Sequence, residues 1–215
     1  MTKIDIISDP ICPWCYIGKA KLDRAFAARP GHKFEVEWHP FQLNPEMPPE
    51  GMDRRDYLEA KFGGRAGAIE VYTSIANAAE AAGLTVNFEK IGRTPNTVDA
   101  HRLIHWAGLE GVQSAVVNKL FNAYFVDGLD ISDHQVLVEI AISAGIDGEM
   151  IAKLLAQDAD QDGILKRDAY AREKGVRGVP CFIVDNHYVV QGAQDTDLWQ
   201  RLIDEINASP AKAQA

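Results

Sequence analysis

The stretch Asp9-Pro10-Ile11-Cys12-Pro13-Trp14-Cys15-Tyr16 decides how this chain is read. It follows an apolar, β-type run from Ile4 to Ile7 and leads into a helical pattern that begins near Pro13. Pro13 suits the first helical position, because its missing N–H would have no partner inside the helix. Cys12 then falls at or just before a helix N-terminus, where unpaired backbone N–H groups and the positive end of the dipole favour a thiolate. Cys15 lies about one turn further on, so the two sulfurs can meet. A bare C-x-x-C also serves zinc ribbons and structural pairs. One that closes a strand and opens a helix points to a dithiol–disulfide redox centre.

At 215 residues the chain is long enough for one large domain or two small ones. With 47% hydrophobic and 25% charged residues it has an ordinary globular composition. A net charge of −9 and a pI near 5.1 argue against a nucleic-acid surface. No apolar run is long enough to cross a membrane. The first residues, broken by Asp5 and Asp9, read as a strand and not as a signal peptide, so the expected location is cytoplasmic. Three cysteines make no disulfide scaffold, and in a reducing compartment a C-x-x-C serves catalysis.

Lys3 to Ser8 reads as a strand, 13–28 as a helix stopped by Arg29-Pro30-Gly31, and Lys33 to His39 as an alternating second strand. The proline-rich segment Pro45-Glu46-Met47-Pro48-Pro49-Glu50-Gly51 is the best linker. Helices are expected near 53–62, 65–82, 97–109, 112–127, 133–144, 148–157 and 161–174. After Gly175 the pattern returns to strands at 181–184 and 187–190, joined by a tight turn for which Asn186-His187 is a weak pair. A last helix over 196–207 is capped by Asp195, and 209–215 reads as a frayed tail.

This α/β order, βαβ, helices, ββα, resembles the thioredoxin fold with a large all-helical inserted domain. The expected division is a thioredoxin-like domain from 1–44 and 175–208, with the insertion at 45–174. Five stretches carry a closer resemblance: Cys12-Pro13-Trp14-Cys15-Tyr16-Ile17-Gly18, Pro40-Phe41-x-Leu43-Asn44-Pro45, Pro95-Asn96-Thr97-x-Asp99-Ala100-His101-Arg102-Leu103, Gly175-Val176-x-Gly178-Val179-Pro180 and Gly192-Ala193-Gln194. Together they resemble the FrnE-type branch of the DsbA-like thiol–disulfide oxidoreductases. That resemblance implies an exposed nucleophile at Cys12, a resolving thiol at Cys15 and a cis-proline loop at Val179-Pro180 facing them. It places Pro13, Trp14, Phe41, Asn44, Asn96, His101 and Val179 around the substrate. It implies no organic cofactor and no metal, with protein or low-molecular-weight thiols and disulfides as partners, glutathione as a conceivable co-substrate, and a monomer or homodimer. A glutathione-dependent isomerase or transferase of the 2-hydroxychromene-2-carboxylate isomerase or kappa type shares the architecture. Those enzymes typically carry serine in place of Cys12, which the intact pair here disfavours. A non-enzymatic alternative is metal or iron–sulfur binding through Cys12, Cys15 and Cys181.

Other signals have simpler readings. Cys181 lies in an apolar strand and reads as a small buried hydrophobe, with a third redox thiol as the sharper alternative. Asp158-x-Asp160-x-Asp162-Gly163 matches half an EF-hand loop, but Ala169 stands where the bidentate glutamate belongs. His101 and His105, four apart, share a helix face without a third ligand. His39 reads as a strand-end histidine and Glu35 and Glu37 as a solvated face. Trp14 occupies a slot that is histidine in DsbA itself, so no charge between the cysteines stabilises a thiolate.

Overall fold

Strand β1 (Thr2–Ser8) is the axis of the structure, a computed structural model that describes residues 1–208. The expected tail at 209–215 lies outside the described residues. β1 runs parallel to β2 (Phe34–Pro40) and antiparallel to β5 (Cys181–Val184), with Ile7 opposite Cys181. β6 (Tyr188–Gln191) completes the order β2-β1-β5-β6. A strand covered on both faces is apolar throughout. Ile4 and Ile6 accordingly join one core with Phe182, Val184 and Trp199, while Ile7 joins another with Phe41, Val176 and Cys181.

The crossover from β1 to β2 is helix α1 (Pro13–Ala28), and α9 (Thr196–Ala208) packs beside it. Trp199 of α9 meets Phe182 edge-on, with ring centroids 4.8 Å apart. Asp195 precedes α9 as expected, and its carbonyl accepts from the Leu198 and Trp199 N–H groups. Its carboxylate is held by Lys21 at 2.7 Å. The β5–β6 turn is centred on Asp185 and Asn186, not on Asn186 and His187. Both take the left-handed conformation, at φ 54° and 56°, which short polar side chains tolerate.

Between β2 and β5 lie α2 (Arg54–Lys61), α3 (Arg65–Ala81), α4 (Val98–Leu109), α5 (Gln113–Asn122), α6 (His134–Ser143), α7 (Gly148–Leu155) and α8 (Gln161–Glu173). Two-residue strands β3 (Met52–Asp53) and β4 (Arg93–Thr94) pair across this region, too short to leave a periodicity in sequence. The single helix expected over 112–127 ends at Asn122, and Ala123–Asp127 form a π-helical turn. That wider turn buries the consecutive residues Ala123, Tyr124 and Phe125 together, which a regular amphipathic helix would not do. Gly128 closes it at φ 74°, where a Cβ would lie 2.6 Å from the Lys90 carbonyl oxygen.

The helices share a core with the sheet. Residues of β1, α1, α4, α5 and β5 belong to one buried cluster. On the outer side of β2 the Gln113 side chain replaces a further strand: Oε1 accepts from the Trp38 N–H at 2.8 Å and Nε2 donates to the Trp38 carbonyl at 3.2 Å. The Pro45–Gly51 segment is irregular, as a linker should be, yet Met47 is buried and its carbonyl accepts from Asn96.

The aspartate-rich loop before α8 is structural. Arg102, fully buried, donates to the carbonyls of Leu154, Gln157 and Ala159 and pairs with Asp99 at 2.7 Å. Asp160 accepts from the Trp106 indole N–H at 2.8 Å. Removing Arg102 would take a buried donor from three carbonyls at once and leave the Asp99 carboxylate with His134 alone, 2.8 Å away. Arg102→Met should therefore cost about 3–5 kcal/mol in denaturant-unfolding free energy, whereas an unchanged midpoint would show that the loop satisfies itself.

Candidate active site

Cys12 is the N-cap of α1 (φ −85°, ψ 113°), with Pro13 in the first turn. Its carbonyl accepts from the Cys15 and Tyr16 N–H groups at 3.0 and 3.2 Å, so the helix starts on the reactive residue itself. The thiol does not cap the helix; it turns to the Val179 carbonyl, 3.6 Å away. The Val179–Pro180 peptide bond is cis. Gly18 of α1 lets this loop approach, since a Cβ there would lie 3.1 Å from the Pro180 ring. Trp14 is 39% exposed, but Cys12 is only 2% and Cys15 1% exposed. The expectation of an exposed nucleophile is thus corrected. The Val179–Pro180 loop closes over Cys12 because α1 has no side chain at Gly18 to hold it off.

The two sulfurs sit in different surroundings. Burial pushes the Cys15 thiol well above the ordinary range, and the neighbouring Cys12 adds to this; hydrogen bonds from Ser8 and the Asp9 N–H oppose it. Three residues upstream of Cys12, Asp9 is fully buried. Its carboxylate accepts from Ile11 N at 3.3 Å, from Leu43 N at 2.7 Å and from the Thr97 side chain. Burial raises its pKa to about 7, against which those hydrogen bonds pull downward. His101 lies 4.0 Å away and is held down to about 4 by burial, while its bond to the Phe41 carbonyl (3.3 Å) favours the charged form.

The residues expected around a substrate divide into two groups. Pro13, Trp14 and Val179 surround the dithiol and are half-buried or exposed. Phe41, Asn96 and His101 are spent on the scaffold. Phe41 is buried under the Arg172 guanidinium, 4.0 Å above its ring. Asn96 caps the turn into α4 through Val98 N at 3.0 Å and donates to Met47 O at 2.7 Å. Asn44 is intermediate: Oδ1 accepts from Tyr57 (2.8 Å) and Lys61 (3.2 Å), while Nδ2 is buried without a partner. A buried orphan donor is costly and marks a place where an acceptor could bind.

His39 donates or accepts at Asp5 (2.6 Å) and faces Arg167 at 3.0 Å. His105 also faces Arg167, at 3.3 Å, and does not join His101 in a metal cluster. Among the described residues Asp5, Glu37 and His39 could converge on a cation, but the Lys3 ammonium already bridges Asp5 (3.0 Å) and Glu37 (2.6 Å). Cys181 is buried, receives an amide hydrogen from Gln191 at 3.1 Å and has its pKa raised by burial. Sequence reasoning passed over Asp9 as a site residue. The signal was a lone acid just past the end of an apolar strand and three residues before a C-x-x-C.

Vicinal thiols of unequal environment, at a strand-to-helix junction in a βαβ…ββα frame, define a disulfide oxidoreductase of thioredoxin type. Residues 3–204 match the DSBA-like thioredoxin domain, and the chain belongs to that family. A probable DsbA oxidoreductase from Streptomyces coelicolor is 30% identical with a TM-score of 0.87, covering 100% of this chain and 94% of that one. Two more distant structures share the fold. A 2-hydroxychromene-2-carboxylate isomerase is 16% identical with a TM-score of 0.71, covering 99% of this chain and 100% of that one. The cytosolic disulfide reductase DsbM from Pseudomonas aeruginosa, solved with glutathione, is 18% identical with a TM-score of 0.68, covering 96% and 100%. Among the described residues no helix is long and apolar enough to cross a membrane.

The raised pKa of Asp9 gives a pH signature. Its proton is bound more tightly in the folded chain, so its stabilising contribution is complete below about pH 4 and is lost as pH rises through about 7. His101 works in the opposite sense over about pH 4 to 6.5, because its folded form resists protonation. Asp9→Asn removes only the first effect. The stability of this variant relative to wild type should rise by about 3 kcal/mol from about pH 5 to about pH 8. A flat difference would show that Asp9 does not change its ionisation there.

Proposed function

We propose that this chain exchanges thiols and disulfides through its Cys12-Pro13-Trp14-Cys15 pair, with Cys12 attacking and Cys15 resolving. The asymmetry of the two sulfurs carries the reading: Cys12 holds the N-cap position with its thiol turned to Val179, while Cys15 is one turn inside with its proton held by burial. The Cys12 thiolate attacks a substrate disulfide, forms a mixed disulfide and releases one substrate thiolate. Cys15 then loses its proton and attacks the Cys12 sulfur, releasing the second thiolate and closing the Cys12–Cys15 disulfide. The reverse sequence oxidises a dithiol.

The expected cytoplasmic setting, the FrnE-type resemblance and the reductase DsbM among the fold relatives favour substrates from a reducing pool: glutathione-type and protein thiols. The exchange needs no organic cofactor, and one chain supplies the whole site, so a monomer or a homodimer could work. Asn44 Nδ2, the buried donor without a partner, is suited to an acceptor on the substrate backbone. Trp14 and Val179 frame its approach, and Pro180 sets the loop.

Cys15→Ser should accumulate a mixed disulfide on Cys12 with glutathione or a protein substrate, and Cys12→Ser should lose turnover and trap little. Cys181→Ala should keep insulin-reduction and dithiol-oxidation rates within about threefold of wild type, since a buried thiol of raised pKa is a poor nucleophile. Mass spectrometry of the adducts decides between roles. An adduct on Cys15 in Cys12→Ser, with none on Cys12 in the converse, would reverse them. Wild-type catalysis of a glutathione-dependent isomerisation without disulfide exchange would favour the isomerase reading.

A further inference from the structure

A cleft lies on the far side of the sheet from the dithiol. Side chains alternate along β1: Ile4 and Ile6 join the core that holds Cys12 and Cys15, while Lys3, Asp5 and Ile7 face α8. The space between these odd-numbered residues and α8 measures about 580 Å³, within the range of small-molecule sites. Its floor is apolar. Ile7 and Val176 are buried, Ile183 is half-buried, and Ala171 meets them from α8.

The α8 wall is cationic at both ends. Arg167, Tyr170, Ala171 and Lys174 recur at the spacing of one helix face, and all four line the cleft. Tyr170, 59% exposed, stands between the two cations. Seven residues set the α-carbons of Arg167 and Lys174 about 10 Å apart, and the lysine stem leans back over the ring.

Neither charge meets a carboxylate at hydrogen-bond distance. Arg167 donates to the Nδ1 atoms of His39 and His105, at 3.0 and 3.3 Å. A guanidinium cannot accept, so each imidazole accepts there and is neutral. The two rings fix the guanidinium and leave its remaining N–H groups without a hydrogen-bond partner among the described residues. Glu37 stands off at 3.8 Å. The Lys3 ammonium takes Glu37 at 2.6 Å and Asp5, the one acid lining the cleft, at 3.0 Å. The Lys174 ammonium rests 5.2 Å from the Tyr170 centroid, a weak contact at an exposed ring, and among the described residues it has no ion pair. On a chain of net charge −9, two such cations over an apolar floor match an anion with an apolar body.

We propose that this cleft binds a small aromatic dicarboxylate. One carboxylate sits on the Arg167 fork, the flat body lies over Ile7 and Ile183 beside Tyr170, and Lys174 reaches the second carboxylate. A neutral ligand would answer neither cation, and a monoanion would leave Lys174 unanswered. The site lies apart from Cys12, so the inference goes beyond thiol exchange and stands independently of it.

The test is a titration of the full chain with terephthalate, followed by the isoleucine methyl resonances, which a bound aromatic ring shifts. The Ile7 and Ile183 methyls should move and saturate with a Kd below about 1 mM, while Ile11, next to Cys12, stays in place. Benzoate, which lacks the second carboxylate, should bind about tenfold more weakly. Lys174→Gln should weaken terephthalate about tenfold and leave benzoate within about threefold, whereas Arg167→Gln should weaken both about tenfold. Lys174 is exposed at the end of α8, so its variant carries the test if Arg167→Gln does not fold. Absence of a saturable shift at Ile7 and Ile183 overturns the proposal. So does a shift centred on Ile11, or a folded Lys174→Gln chain with wild-type affinity for terephthalate.

Discussion

The junction of three chain segments on the Asp9 carboxylate is the constraint on which the site depends. Ile11 belongs to the turn before the helix, Leu43 to the segment after β2, and Thr97 to the entry of α4, and all three donate to this one group. The backbone N–H of the same residue supports Cys15. A fully buried carboxylate is expensive to charge, and three donors recover part of the cost. The dithiol, the strand end and the insertion are thereby held in register by a group whose ionisation lies near neutrality.

Burial of both sulfurs follows from this arrangement. The Val179–Pro180 loop reaches Cys12 because Gly18 leaves room, and the same closeness gives the cysteine a carbonyl partner when it is a thiol. A thiolate would lose that partner, since a carbonyl offers no hydrogen to an anion. The feature beside Cys12 that suits an anion is the helix N-terminus, where backbone N–H groups lack intrahelical partners.

Much of this was legible in the sequence because it obeys local rules. The apolar run of β1, the alternation of β2, Pro13 at the helix start and the helical spacing across 53–174 each reflect neighbours along the chain. The dithiol and the paired loop at Val179-Pro180 were legible through motif and resemblance. What was not legible depends on distant contacts. The π-turn at Ala123–Asp127 keeps helical periodicity in its sequence, and the two-residue strands β3 and β4 have none to offer. Asn96 and His101 lie in a family-like stretch, yet their hydrogen bonds go to Met47 and Phe41, partners that no spacing rule supplies. Arg54 stands in the polar run Asp53-Arg54-Arg55-Asp56, which carries no local sign of burial. Only the fold shows that Tyr72 and Tyr124 bury it.

The central claim is that Cys12, though covered, is the sulfur that meets substrate. Brief labelling of the reduced, native chain with iodoacetamide, followed by peptide mapping, tests it most directly. The account predicts that Cys12 is modified first, with Cys15 and Cys181 following only as the protein unfolds. First modification at Cys15 or Cys181, or equal rates at all three, would contradict it.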